Sequence, residues 1–324
     1  MKINRLVIEN FKSIERIELT EPNPFTVFVG PNGSGKSNIF EALEFVNLSR
    51  HIPEQAVDLF GGNRSLFNRK SNNPLFEFEV DFGDFSEKES SYFSSERQQK
   101  MKVPLFTFDN VTSANQQNRP DYQQFFGYFT RLFVRNGKVK LPYKGDNRIA
   151  LDADNLEPVL KRILQNYVIK DEIFEWLELF VPGFKAVEVD DRDELHWFEE
   201  SLKEYFTKDL ISDGTYNILA LLTAVYQSDE PQFLCIEEPE NGLNPKVARE
   251  FVNLCRYACE EFGHYIWLNT HSQTLVSVLT PDEVILVDKV NGATQTKQIQ
   301  GMNLYGLPMD EAWLSNALGG GLPW

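Results

Sequence analysis

Phe25-Thr26-Val27-Phe28-Val29-Gly30-Pro31-Asn32-Gly33-Ser34-Gly35-Lys36-Ser37 is a short apolar run that breaks into a glycine-rich turn. Its β-branched and aromatic residues predict a buried strand ending at Gly30. Beyond it, Ile39, Leu43 and Val46 recur at helical spacing through Ser37 to Leu48. A G-x-x-x-x-G-K-S turn between a strand and a helix is the context a phosphate-binding loop requires. Its glycines let the backbone wrap around phosphate oxygens with N–H groups turned inward. The helix starting near Lys36 adds the positive end of its dipole. Lys36 is expected to neutralise the β- and γ-phosphates, and the Ser37 hydroxyl to ligate Mg²⁺. Asn32, Gly33, Ser34, Gly35, Lys36, Ser37 and Asn38 are the candidate ligands of this loop.

A second signal lies far downstream. Phe233-Leu234-Cys235-Ile236 runs directly into Glu237-Glu238. A buried strand ending in two carboxylates needs a compensating charge, because unpaired buried charge is costly. A cation beside the phosphate loop supplies one, with Glu237 as its ligand. Adjacent strand residues face opposite sides, so Glu238 is free to orient an attacking water.

Around these two anchors the chain alternates strand and helix at both ends. Lys2 to Ile8 and Glu15 to Leu19 read as an antiparallel pair. Leu75 to Phe82 and Val103 to Phe108 read as strands, and the polar Ser86 to Lys102 as a helix or loop. Asn155 to Phe180 reads as two helices, the first capped near Asp154 or Asn155. Phe184 to Val189 and Glu194 to Phe198 read as a hairpin. A helix follows Gly214, another starts at Pro245, and His264 to Asn269 is a strand. The expected organisation is an α/β core of mixed sheet flanked by helices, with an N-terminal antiparallel β portion. Residues 1–84 and 205–324 form that core, and 85–204 an inserted, largely helical lobe.

The 324 residues include 42 % hydrophobic and 13 % aromatic side chains, enough for a substantial core. The formal charge of −16 argues against coating DNA by bulk attraction. The strongest basic stretch is Arg131 to Arg148, with Arg135, Lys138, Lys140 and Lys144; it reads as the solvated face of a surface hairpin. Arg64, Arg69 and Lys70 form a second group. Cys235 reads as core packing; Cys255 and Cys259 share a helix face without a further cluster to complete a metal site. The sparse cysteines and the lack of a long apolar segment suit a cytoplasmic protein and no membrane.

Together the two motifs resemble the Walker A and Walker B elements of the ABC-type ATPases, above all the branch with RecF-type, SMC-type and overcoming-lysogenization-defect (OLD) proteins. Ile8-Glu9-Asn10-Phe11-Lys12-Ser13 is similar to the opening of RecF-like chains. Leu210-Ile211-Ser212-Asp213-Gly214-Thr215 resembles the signature, departing from Ser-Gly-Gly-Gln at Asp213 and Thr215. Glu238-Pro239-Glu240-Asn241-Gly242-Leu243-Asn244-Pro245 resembles the D-loop, with Asn244 where His is frequent. Asn269-Thr270-His271-Ser272 resembles the switch-histidine segment. Glu237 stands where Asp is usual. No Q-loop glutamine is placed; Gln123 and Gln124 have no context that selects them.

The resemblance implies ATP as nucleotide, with Lys36, Glu238 and His271 catalytic and with Ser37 and Glu237 on Mg²⁺. It implies that Ser212, Asp213 and Gly214 act in trans, the signature closing over the nucleotide from a second copy or a partner, since one chain holds one phosphate loop. A homodimer or higher homo-oligomer follows, driving or gating a separate effector protein, with antiphage defence as a role by analogy. The alternatives are a slow or non-hydrolysing ATP-gated scaffold or sensor that regulates a separate effector, and a RecF-like DNA-binding ATPase. OLD proteins continue into a Toprim nuclease domain; about 50 residues follow His271, fewer than such a domain needs. The end, Gly319-Gly320-Gly321-Leu322-Pro323-Trp324, reads as a flexible segment.

Overall fold

A computed structural model describes residues 1–68, 70, 75–83, 86–92, 105–108, 119–134 and 145–322. The N-terminal pair is β1 (Arg5–Phe11) and β2 (Ile14–Thr20). With β4 (Leu75–Asp81), β5 (Ser86–Tyr92) and β6 (Leu105–Phe108) it forms a five-stranded antiparallel sheet, ordered β2-β1-β4-β5-β6.

A second sheet has the order β13-β12-β3-β11-β10-β7. Its strands are β3 (Phe25–Val29), β7 (Phe129–Leu132), β10 (Phe233–Glu237), β11 (Tyr265–Thr270), β12 (Val284–Val290) and β13 (Ala293–Gln298). All neighbours pair in parallel except β12 and β13, which form an antiparallel edge.

Both faces of the sheet's centre are covered, which is why β3, β10 and β11 are buried along their whole length and read as mainly apolar runs. Val27, Val29, Leu234, Ile236, Ile266 and Leu268 point into one core. There they meet α5 (Asp213–Tyr226) and α6 (Pro245–Glu261), with α3 (Leu156–Ile163) and α4 (Tyr167–Phe180) beyond. Phe28, Phe233, Cys235, Tyr265 and Trp267 point into the other core. That core holds α1 (Lys36–His51), which lies between the two sheets, and α2 (Pro53–Leu59). Phenylalanine dominates it: Phe45 meets Phe60 at 5.4 Å and Phe76 at 5.5 Å, and Phe28 meets Phe40 at 5.5 Å. The tilted and edge-on ring contacts suit aromatic quadrupoles. β8 (Phe184–Val189) and β9 (Leu195–Glu199) form a separate hairpin against α3 and α4.

Several expectations change. Ser86–Tyr92 is strand rather than helix or loop: pairing with β4 on one side and β6 on the other satisfies its backbone and overrides weak local propensity. The expected boundary at residues 84 and 85 therefore falls within one sheet, and β7 belongs to the central sheet. Gly319–Gly321 is docked instead of loose. The Gly321 N–H bonds Asp288 at 2.7 Å, and a Cβ at Gly321 would lie 3.0 Å from the Val29 carbonyl. These glycines serve close approach to the core strands. Trp324 lies outside the described residues. Among the described residues no helix is long and apolar enough to cross a membrane.

Candidate functional site

Parallel strands deliver their C-terminal ends to one edge of the sheet, and that is where open α/β sheets bind ligands. Here β3 delivers the loop 30–37, β10 delivers Glu237 and Glu238, and the neighbouring β11 delivers Asn269 to His271.

The loop geometry depends on its glycines. Gly33 and Gly35 have φ of +77° and +104°, a region L side chains rarely adopt. A Cβ at Gly30 would sit 2.1 Å from the Val287 carbonyl, and one at Gly35 would sit 1.9 Å from Thr294 Oγ1. α1 starts at Lys36 with no side-chain cap, so its first N–H groups are available to an anion. The Lys36 ammonium is buried and folds back onto the carbonyls of Gly30 (2.7 Å) and Pro31 (2.9 Å). Burial pulls its pKa below the ordinary lysine value, against the opposing fields of Glu238, Glu240 and Glu237.

The two motifs meet. The Ser37 hydroxyl donates to Glu237 Oε2 at 2.5 Å across 200 positions of sequence. Glu237 is 3 % exposed. A hydroxyl and a carboxylate oxygen are hard donors of the kind Mg²⁺ takes beside phosphates. The extra methylene of Glu, relative to Asp, leaves this pairing intact.

Glu238 turns out of the strand at φ +46°, left-handed for a non-glycine residue. Its N–H donates to the carbonyl (3.0 Å) and Oδ1 (3.2 Å) of Asn269, which holds that turn. Its carboxylate accepts from Asn241 Nδ2 at 3.0 Å and stands 3.5 Å from His271 Nδ1. Glu240 accepts from the Thr270 hydroxyl, and burial raises its pKa above the usual carboxylate range. Ser34 Oγ, Glu240 Oε2, Asn269 Nδ2 and His271 Nδ1 are buried here without a hydrogen-bond partner. Such atoms are unusual in a folded protein and mark a place where a ligand completes the bonding. The residues present therefore fit a nucleoside triphosphate with its metal.

Ser212, Asp213 and Gly214 stand at the N-terminus of α5. Ser212 caps that helix through the Thr215 N–H at 3.1 Å. A Cβ at Gly214 would lie 2.4 Å from the Gly242 carbonyl. Asn217 Nδ2 donates to the carbonyls of Asn241 (2.6 Å) and Pro239 (3.2 Å). The signature-like segment and the loop after Glu238 are thus fastened to each other. Asn244 caps α6, taking the N–H groups of Lys246 and Val247 at 3.0 Å each. Asn32 is exposed, and Asn38 reaches the site through Ser13 Oγ at 2.6 Å.

Two residues, Thr294 and Arg131, join the site that sequence patterns did not select for it. Thr294 donates to the Ser34 carbonyl at 2.9 Å and contacts the Ser13 hydroxyl at 2.6 Å, clamping the loop to the β1–β2 turn. Arg131, expected on a solvated hairpin face, is instead buried in β7 against Glu237. Arg148 also turns inward, to the Phe129 carbonyl at 2.7 Å. Arg69, Arg135, Lys138, Lys140 and Lys144 lie outside the described residues. Gln124 is a core residue, bonded to the Gly263 carbonyl at 2.7 Å, and has no contact with the phosphate loop.

Residues 25–277 match the family described as "AAA domain, putative AbiEii toxin, Type IV TA system". A Helicobacter pylori protein named ATP/GTP phosphatase is 22 % identical over 87 % of this chain and 88 % of its own length. The DNA replication and repair protein RecF of Psychromonas ingrahamii is 35 % identical over 77 residues, 22 % of this chain and 21 % of that one. Among solved structures, the Smc head domain bound to the C-terminal domain of ScpA, from Pyrococcus furiosus, superposes with a TM-score of 0.57. It is 14 % identical, and the match covers 98 % of this chain and 99 % of that one.

Proposed function

The chain belongs to this AbiEii-type AAA-domain family and is an ABC-type P-loop ATPase of the RecF- and SMC-like branch, and we propose that it hydrolyses ATP between two copies of itself. The observation that carries the site assignment is the Ser37–Glu237 bond. Two motifs 200 residues apart converge on a hydroxyl–carboxylate pair beside a buried lysine and an uncapped helix N-terminus.

In this reading the loop 32–38 binds the phosphates through backbone N–H groups, and Lys36 leaves its two carbonyls to meet the β- and γ-phosphates. Ser37 and Glu237 hold Mg²⁺, which supplies charge neutralisation at the transferring phosphoryl group. Glu238 orients the attacking water and receives its proton. His271, beside Glu238, donates toward the γ-phosphate. Rate comes from positioning and charge, since phosphoryl transfer asks for no covalent step from the protein. Ser212 and the first N–H groups of α5 face the γ-phosphate of the other copy. Because α5 is fastened to the loop 239–242, closure of one site is felt beside Glu238 of the other chain.

The output is a separate effector protein. The family's description as a toxin-type domain and the ScpA-bound Smc head both support a partner acting with such an ATPase. The relative named ATP/GTP phosphatase makes GTP the competing substrate to test. Phosphate release from Mg-ATP and Mg-GTP, beside nucleotide binding, tests the site. Lys36→Ala is expected to lose binding. Glu238→Gln is expected to bind normally and to lose about 10²–10⁴-fold in turnover, as for removal of a positioned base. Wild-type turnover in Glu238→Gln would refute the role given to Glu238.

A further inference from the structure

Arg131 sits on β7, one strand beyond β10, with its side chain 5 % exposed. Its guanidinium serves two carboxylates at once. Nε donates to Glu237 Oε1 at 2.6 Å, and Nη2 contacts the same oxygen. Nη1 donates to Glu44 Oε2 at 2.5 Å and lies 3.8 Å from Glu41 Oε1. Glu41 in turn pairs with Lys12 on the turn between β1 and β2. A continuous line of charge therefore runs from Glu237 through Arg131 to α1 and on to the N-terminal sheet.

The two oxygens of Glu237 are divided between partners. Oε1 is occupied by Arg131, and Oε2 faces Ser37. A glutamate has one more torsion to fix than the aspartate usual at this place, and a planar guanidinium fork fixes it. Without this guanidinium, Glu237 and Glu44 would lose the cation that bonds both of them in a largely buried corner, a costly arrangement. We propose that Arg131 is the positioning residue of the Mg²⁺ site: it holds Glu237 by Oε1 so that Oε2 stands beside Ser37 for the metal. It touches neither nucleotide nor metal. It also ties the metal site to β7, to α1 and, through Glu41 and Lys12, to the N-terminal sheet.

This inference rests on the nucleotide-and-metal reading of the site, and the experiment separates the two. Full-length wild type, Arg131→Lys and the double variant Arg131→Met with Glu44→Gln are titrated with Mn²⁺ in the presence of ATP. Bound metal is followed by electron paramagnetic resonance, ATP binding at saturating metal by fluorescence, and fold by circular dichroism. Arg131→Lys keeps the charge and loses the fork; the double variant removes one of the carboxylates that Arg131→Met alone would strand. Loss of a residue that orients a metal ligand typically weakens metal binding about 10–100-fold, and that rise in the Mn²⁺ midpoint is expected in both variants. ATP affinity at saturating metal should stay within about threefold, since phosphate contacts are made by the loop itself. A purely structural role would lower melting temperature and leave the Mn²⁺ midpoint of the folded protein unchanged, and that result overturns the proposal. Absence of metal-dependent ATP binding in the wild type would remove the site reading, and the proposal with it.

Discussion

Glu238 takes a left-handed backbone at φ +46°, which for a residue with a Cβ costs on the order of 1–3 kcal/mol. Two hydrogen bonds from its N–H to Asn269 offset that cost and turn the carboxylate toward His271. The sequence makes the Glu237–Glu238 pair readable, because two acids after four apolar residues stand out. It does not make Arg131 readable. Among Arg135, Lys138 and Lys140 it looks like one more solvated cation, and its partner Glu237 is 106 positions away. Charge patterning reports local composition and is blind to a buried ion pair formed by distant strands. His264 is a buried histidine with a structural role. Its ring is 2 % exposed and accepts from the Gln232 N–H at 3.3 Å. Burial pulls its pKa from 6.5 to about 4, against a smaller upward pull from the Val225 carbonyl. The folded form thus binds fewer protons than the unfolded chain between those values. The contribution of His264 to stability is complete above pH 6.5 and is lost as pH falls toward 4. Urea unfolding across that range should show a shallower acid decline in His264→Gln than in wild type; parallel declines would contradict the assignment.

At the scale of elements, β3, β10 and β11 were plain in the sequence because both of their faces are buried, which favours apolar runs. α1, α5 and α6 were equally plain from the loop or cap that starts each of them. β5 was not, since Ser86-Glu87-Lys88-Glu89-Ser90-Ser91-Tyr92 has little strand character and takes its form from the strands either side. The glycine-rich tail misled for a related reason: glycine serves flexibility and close packing alike, and only the neighbouring Val29 carbonyl and Asp288 decide between them. The junction of α5 with the loop 239–242 is an element-scale device. Gly214→Ala would push a methyl group to 2.4 Å from the Gly242 carbonyl, a backbone atom that cannot swing aside. The helix and the loop must separate, at about 1–3 kcal/mol of stability. ATP binding should persist, while turnover should fall by roughly 10²-fold, the penalty typical of an ångström-scale misplacement. Phosphate release measured beside ATP affinity checks this, and wild-type turnover would show that the contact carries no signal.

Over the whole molecule, the order of motifs along the chain does not give the order of the central sheet at its functional edge, where β11 lies between the strands of the two anchors. Nor does it foretell β7 beside β10. About a hundred residues separate those strands, and parallel neighbours leave no local turn signal to announce their pairing. The result is a central sheet with a core on each face and the phosphate loop at its edge. Its phosphate side is built by β3, β10 and β11, and its signature-like segment stands on a different helix. That arrangement makes a second copy the natural source of the missing contacts, and association of two chains in the presence of nucleotide is the central claim. Light scattering with and without Mg-ATP, on wild type, Lys36→Ala and Glu238→Gln, tests it most directly. A mass that doubles with Mg-ATP, persists in Glu238→Gln and stays at the nucleotide-free value in Lys36→Ala is the expected result. A mass indifferent to nucleotide in all three proteins, with ATP bound, would contradict it.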